Sequence, residues 1–323
     1  MMKPIAITMG DPTGIGPEVI LKAVQQRPSD GSEWLYIGDP DLLTWSARHL
    51  NLELPWQRLT LLPTHHRVDL GRFQPGQPDP AHAAVIMECL DRACQLALTG
   101  EVAAITTAPI HKASLHAAGM AFPGHTEYLA HRTATAHPVM MLTGGDLRVV
   151  PATIHQSLAS VAASLQPSGL QRVITTTLTA LQRDFALSAP RIAVTGLNPH
   201  AGEQGSFGRE EIEIIAPVCR QLSQQWPPGT ICGPLSADSL FHASQRKGYD
   251  AIVCMYHDQA LIPIKMLAFG AAVNVTLGLP IVRTSVDHGT AHDLAGRGQA
   301  SPESLLQALH LAKVMAHNRL LPT

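Results

Sequence analysis

Nothing in this chain of 323 residues approaches the roughly 20 consecutive apolar residues that a membrane helix needs. Arginine-rich runs and basic patches are missing as well. The formal net charge is −2 and the isoelectric point about 6.8, so nucleic acid is not an expected partner. The five cysteines, Cys89, Cys94, Cys219, Cys232 and Cys254, are odd in number and form no C-x-x-C pair. They read as reduced, buried thiols acting as small hydrophobes. The first residues, MMKPIAITMGDP, carry one lysine and then Asp11, which is not a signal-peptide pattern, and the expected location is the cytoplasm. No stretch fits G-x-G-x-x-G. GDPTGIGPE (10–18) is a glycine-rich strand-to-helix turn with Pro17 placed for a first helical turn, but its spacing is not the dinucleotide fingerprint.

Apolar residues are plentiful, at 45%, enough for a large core, and the length suits two domains or lobes. Continuously apolar runs at 4–8, 34–38, 102–108, 149–154, 191–197 and 251–256 read as strands covered on both faces. Amphipathic stretches at 83–98, 167–186, 209–225 and 303–316 read as helices. This βαβ rhythm predicts an α/β protein with a largely parallel sheet. The segment 63–80, rich in proline, glycine and histidine, reads as a surface excursion, with His65 and His66 solvated.

Seventeen histidines is a high count, and three of them stand out by position. His155, His200 and His257 each follow a separate predicted strand, at the carboxyl edge where open α/β sheets bind ligands. A histidine at one strand exit is commonly a satisfied loop residue. Three from separate strands are also a donor set for a divalent metal with open positions, with Asp258 and Glu203 near enough in sequence to orient the rings. PGHTE (123–127) reads most simply as a helix start capped by Thr126 with Glu127 in the first turn, or else as helix amides that hold an anion. Lys265, Asn274 and Arg283 recur nine residues apart beside apolar residues, either as snorkelling side chains or as groups for a phosphate or carboxylate. The glycine-rich run DHGTAHDLAGRG (287–298) is an irregular loop whose backbone could approach a nucleotide.

Taken together, GDPTGIGPE, PGHTE, GLNPHAGE, MYHDQ, IPIKML, NVTLGLP and RTSVDHGTAHDLAGRG resemble the 4-hydroxythreonine-4-phosphate dehydrogenase family of vitamin B6 biosynthesis, from about residue 4 to about 316. The resemblance implies a two-lobed α/β/α sandwich of the isocitrate and isopropylmalate dehydrogenase type, with a cleft between lobes 1–135 plus 288–323 and 136–287. It implies His155, His200 and His257 as metal ligands (Zn2+, or Mg2+ or Co2+). His125, Thr126, Lys265, Asn274 and Arg283 become substrate contacts, and Asp238, Asp258 and Lys265 catalytic groups. The late loop, with Asp287, His288, Gly289, Thr290 and Asp293, would hold NAD or NADP. A homodimer with the site at its interface is implied too.

The implied reaction is oxidation of 4-phosphooxy-L-threonine at C3 with decarboxylation to 3-amino-2-oxopropyl phosphate. Thr13 and Ala260 stand where many members carry alanine and glycine. A sister group acts on 4-phospho-threonate or 4-phospho-erythronate, and a more distant one on a dihydrodiol dicarboxylate. TLGLP and SVDHGTAHDLAGRG lean to the B6 branch. Outside this class, the three histidines would also suit a metal-dependent hydrolase or aldolase on a phosphorylated substrate, or a phosphosugar-binding module with a structural metal.

Overall fold

In the computed structural model the described residues are 3–27, 33–54, 56, 58–227 and 229–321. The chain divides into two compact units, Met1–Pro138 with Leu279–Leu320, and Val139–Gly278 with Leu321–Thr323. The expected boundary near residue 287 therefore falls earlier, after Gly278. The strand that begins at Arg283 pairs inside the first unit and carries its segment there.

The first unit holds β1 (Ile5–Thr8), β2 (Trp34–Gly38), β3 (Thr60–Pro63), β4 (Ala104–Thr107) and β11 (Arg283–Val286). They run in the order β3-β2-β1-β4-β11, and each of these pairings is parallel. β1 and β4 are buried throughout, as their unbroken apolar runs require. Helices Ala83–Leu98 and Glu303–Asn318 pack on this sheet. β11, RTSV, is equally buried although its residues are mostly polar. Its side chains find partners locally: Thr284 Oγ1 lies 2.9 Å from Thr106 Oγ1 and donates to the Ala308 carbonyl at 2.9 Å. His65 and His66 are exposed, and both of their amides donate to the Glu88 carboxylate.

The second unit holds β5 (Val139–Gly144), β6 (Leu147–Pro151), β7 (Ile192–Thr195), β8 (Ile231–Leu235), β9 (Ala251–Cys254) and β10 (Val273–Leu277). Their order is β10-β5-β6-β9-β7-β8. The largely parallel expectation holds for β6-β9-β7-β8 and fails for β5, which is antiparallel to both β10 and β6. The cause is local. Gly145-Asp146 is a two-residue turn, with Gly145 at φ 58°, and returns the chain at once as a hairpin. Helix His257–Ala268 lays Ala260, Ile264 and Ala268, spaced by four, onto a core with Leu142, Val149 and Ile252. The 209–225 segment departs from a plain helix: Glu211–Ile215 is a π-helical turn that continues as the α-helix Ala216–Ser223.

The GDPTGIGPE turn and the late loop lock together in the first unit. Gly14 is fixed by a close approach, since a Cβ there would lie 2.9 Å from the Thr290 carbonyl oxygen. The Ile15 amide donates to that same carbonyl at 2.9 Å. Buried Glu18, opening the helix Gly16–Gln25, accepts from the amides of Ala300 at 2.7 Å and Gly298 at 3.2 Å, and from Lys22 Nζ at 2.8 Å. Lys22 Nζ donates in turn to the carbonyls of Gly298 and Ala300. Removing the carboxylate strands two amides, so Glu18→Ala is expected to lower unfolding stability by about 2–3 kcal/mol and Glu18→Gln by less. Urea midpoints check this; a loss under about 0.5 kcal/mol for the alanine variant would mean that water replaces the carboxylate.

Candidate active site

In the second unit β6, β9 and β7 are adjacent and parallel, so their carboxyl ends lie along one sheet edge. His155, His257 and His200 follow those three ends. The segments carrying His155 and His257 are tied by backbone. Ala152 N donates to the Cys254 carbonyl at 2.7 Å, and both Thr153 N and Thr153 Oγ1 donate to the Met255 carbonyl. The rings of His155 and His257 stand 5.8 Å apart, centroid to centroid, on a cavity of about 430 Å³ shared with Leu158, Tyr256, Asp258 and Ile262. His257 Nδ1 is 2.7 Å from Asp258 Oδ1, which leaves Nε2 as the ring atom for a ligand.

His200 is not gathered with that pair. Its Nδ1 is 3.9 Å from Asp238 Oδ2, and its ring faces Phe207. Asp238 accepts from the Ser236 hydroxyl, which holds its carboxyl below the usual range. Among the described residues of the single chain, no group of three or more His, Cys, Asp or Glu side chains could hold a metal. The two imidazoles on one cavity fit a soft-to-borderline divalent ion as far as they go; a catalytic zinc site would need a third protein donor.

The backbone around His200 is unusual. His200, Ala201, Gly202, Glu203, Gln204 and Gly205 all have positive φ, from 42° to 95°. Each non-glycine residue in this left-handed turn costs roughly 1–2 kcal/mol, so the surroundings must hold it. Glu203, expected near the rings, is part of the turn. Lys265 is half-buried on the last turn of helix His257–Ala268, its Nζ 6.0 Å from the Phe269 ring centroid. On β10 the Asn274 Oδ1 is buried with no hydrogen-bond partner, an acceptor in want of a donor.

The first unit carries the other predicted contacts. Arg283 is 2% exposed, and its Nη2 donates to Thr107 Oγ1 at 2.8 Å. Burial pushes its guanidinium down to about 10, opposed by Glu127, so it stays charged at neutral pH. Gly124, not Thr126, is the N-cap of helix His125–Arg132, and no side chain caps that end. His125 Nε2 is buried and unpartnered. Burial first, then the charges of Arg283 and Lys112, hold the imidazole well below its ordinary range. Lys112 was not anticipated from the sequence. It enters through the fold, its Cε 3.2 Å from where a Cβ of Gly124 would stand. Arg283, Lys112 and a neutral His125 thus stand together, with the Glu127 carboxylate beside them, as donors suited to a phosphate or carboxylate.

The late loop is placed by Thr290, Asp287 and His292. The Asp287 amide donates to Ser304 Oγ at 3.1 Å, and His288 Nδ1 sits 2.9 Å from the Gly289 carbonyl, with Nε2 buried and unpartnered. His292 lies between Thr290 Oγ1 at 3.3 Å and Thr13 Oγ1 at 3.4 Å, and its ring meets His111 edge-on. Asp293 is exposed.

A basic anion corner, a histidine-lined cavity at parallel strand ends, and a glycine-rich loop locked to the first turn belong on an α/β metabolic enzyme. The profile of one family, described as "Pyridoxal phosphate biosynthetic protein PdxA", matches residues 30–312. A Ruegeria relative named 4-hydroxythreonine-4-phosphate dehydrogenase is 47% identical over 98% of this chain and 97% of its own length. The crystal structure of 4-hydroxythreonine-4-phosphate dehydrogenase from Klebsiella pneumoniae matches with a TM-score of 0.85 and 38% identity, over 97% of this chain and 99% of that one. A terephthalate 1,2-cis-dihydrodiol dehydrogenase from Burkholderia xenovorans is more distant, with a TM-score of 0.67 and 32% identity over 97% of this chain and 98% of that one. The protein is an α/β enzyme of the dehydrogenase class. It belongs to the family of the pyridoxal phosphate biosynthetic protein PdxA.

The neutral His125 has a consequence for stability. The folded protein resists protonation there, whereas the unfolded chain takes up a proton near the ordinary value of about 6.5. Stability is therefore whole above that value and is lost as pH falls below it. His125→Asn removes the linkage, so its urea midpoint should fall less between pH 7.5 and 5.5 than that of the parent. Equal acid sensitivity in both proteins would contradict the neutral assignment.

Proposed function

We propose that this enzyme oxidises 4-phosphooxy-L-threonine at C3 with NAD or NADP and decarboxylates the product to 3-amino-2-oxopropyl phosphate, a step toward pyridoxal phosphate. One geometric observation carries the reading: the buried Arg283 stands beside His125 and Lys112, a grouping of donors suited to a phosphate or carboxylate. The full-length likeness to relatives named for that phosphorylated substrate agrees with it.

In this reading His125, Thr126, Lys265, Asn274 and Arg283 are the substrate contacts. The Arg283 fork suits a phosphate or carboxylate, and the unpartnered Asn274 Oδ1 suits a substrate ammonium or hydroxyl. Such contacts bind a part of the substrate remote from the reacting carbon and fix its position. Asp287, His288, Gly289, Thr290 and Asp293 form the dinucleotide loop, and NAD or NADP would accept the hydride. His155, His200 and His257 would hold one divalent ion, zinc by preference, which supplies Lewis acidity toward an oxygen atom. Asp258 keeps the His257 ring in place, Asp238 faces His200, and Lys265 is the candidate to carry a proton.

The substrate choice is tested by supplying hydroxythreonine phosphate beside phosphothreonate and following reduced nicotinamide at about 340 nm. Faster turnover of phosphothreonate at limiting concentration would move the enzyme to the sister group. In the same assay Arg283→Lys keeps the charge but loses the fork. It should raise KM about tenfold with kcat changed little, in line with roughly 1.5 kcal/mol for a charged hydrogen bond. Lys265→Ala should lose kcat beyond any KM effect.

The assembly proposed is a homodimer closing over the histidine cavity. Leu158 is 72% exposed, Ile262 59%, Met266 82% and Phe269 85%. Two of these four line that cavity, and an apolar patch of this kind favours a covering surface. A second copy could also bring the third imidazole. Sedimentation velocity of the purified chain checks this; a monomer at micromolar concentration would remove the dimer from the reading.

A further inference from the structure

We infer that Glu211 and Gln259 are positioning residues that brace the left-handed turn carrying His200 against the strand end carrying His257. The inference rests on the reading of His200 and His257 as metal ligands and concerns what aims them.

Glu211 is 3% exposed and opens the π-helical turn Glu211–Ile215. Its Oε1 accepts from the amides of Leu197 and Asn198 at 2.7 and 2.8 Å, and its Oε2 accepts from Asn198 Nδ2 at 3.0 Å. These are the residues that lead directly into the turn. A Cβ on Gly202, at φ 81°, would meet Glu211 Oε2 at 2.6 Å, so the turn closes around the carboxylate. One buried carboxylate thus holds the entrance and the middle of a strained segment. π turns often mark such functional places, because the extra residue re-aims a side chain.

Gln259 makes the complementary tie. Its Oε1 accepts from Met255 N at 2.7 Å and from Thr195 Oγ1 at 2.8 Å, and its Nε2 donates to the Gly196 carbonyl at 2.8 Å. Met255 lies two residues before His257, and Gly196 four before His200. The two histidine-bearing exits are therefore joined by one amide, and Glu211 takes over where Gln259 stops. Their hydrogen bonds go to backbone, to the Thr195 hydroxyl and to the Asn198 amide, so each would act by fixing where the rings stand.

The test uses Zn2+ itself, in competition with a chromophoric chelator, on the full-length protein. Glu211→Ala should weaken Zn2+ binding about tenfold or more while the circular dichroism spectrum is kept. On a His200→Ala background the same substitution should cost no further affinity, because its effect passes through that ring. Gln259→Ala should also weaken Zn2+ binding. Hydrogen exchange on the metal-free protein should show the Leu197 and Asn198 amides exposed in Glu211→Ala. If Glu211→Ala does not fold, Glu211→Gln carries the test, with a smaller loss. Unchanged Zn2+ affinity, or an equal loss with and without His200, would make Glu211 a plain structural residue and overturn the inference. A parent protein that takes up no Zn2+ would instead sink the metal reading, and this role with it. The amide exchange would still report whether the brace exists.

Discussion

A buried parallel strand leaves peptide groups without ladder partners where it ends, and burial forbids leaving them so. The second unit is arranged around that demand. The ends of β6, β7 and β9 fall together along one edge, and neighbouring carbonyls and side chains satisfy their exits. The exit of β6 borrows carbonyls from the end of β9. The exits of β7 and β9 share the Gln259 amide, and the turn after β7 is closed on Glu211. Histidines at such exits inherit fixed positions because the backbone beneath them has no slack. The chemistry at this edge follows from the way the edge is sealed.

The first unit meets the same constraint with charge. Glu18 and Lys22 bind four peptide groups of the segment after the glycine-rich loop, and so hold that loop against the first turn. Arg283 is buried at the start of β11, donates to a hydroxyl of β4, and feels the charge of the Glu127 carboxylate. Interior charge of this kind weakens a fold unless partners satisfy it.

Legibility in the sequence followed this division. β1, β2, β4 and β9 are unbroken apolar runs, because both of their faces are covered, and they could be read directly. β11 could not: RTSV looks like a loop until Thr284 meets Thr106 across the ladder. β5 was hidden because its turn, Gly145-Asp146, makes a hairpin in a chain otherwise built of crossovers. The three strand-exit histidines were visible because their position depends only on where strands end. Lys112, Glu211 and the bonding of Gln259 were not, since each acts through the fold on residues as far as 64 positions away. The family motifs supplied roles that spacing alone left open between bland and functional readings.

His125 illustrates how such packing divides labour among groups of similar chemistry. Three basic side chains, those of Arg283, Lys112 and His125, stand together. Burial and the neighbouring cations keep the imidazole neutral, with Nε2 buried and unpartnered. A neutral ring can donate or accept, and its tautomer follows the ligand. A third fixed positive charge would bind any anion more tightly but would discriminate less among them. Beside Arg283 and Lys112, a neutral His125 offers an anion a hydrogen bond rather than a further charge. Selectivity of that kind comes from a polar group left unmatched when the wrong ligand binds, and it requires the ring to be uncharged before the ligand arrives.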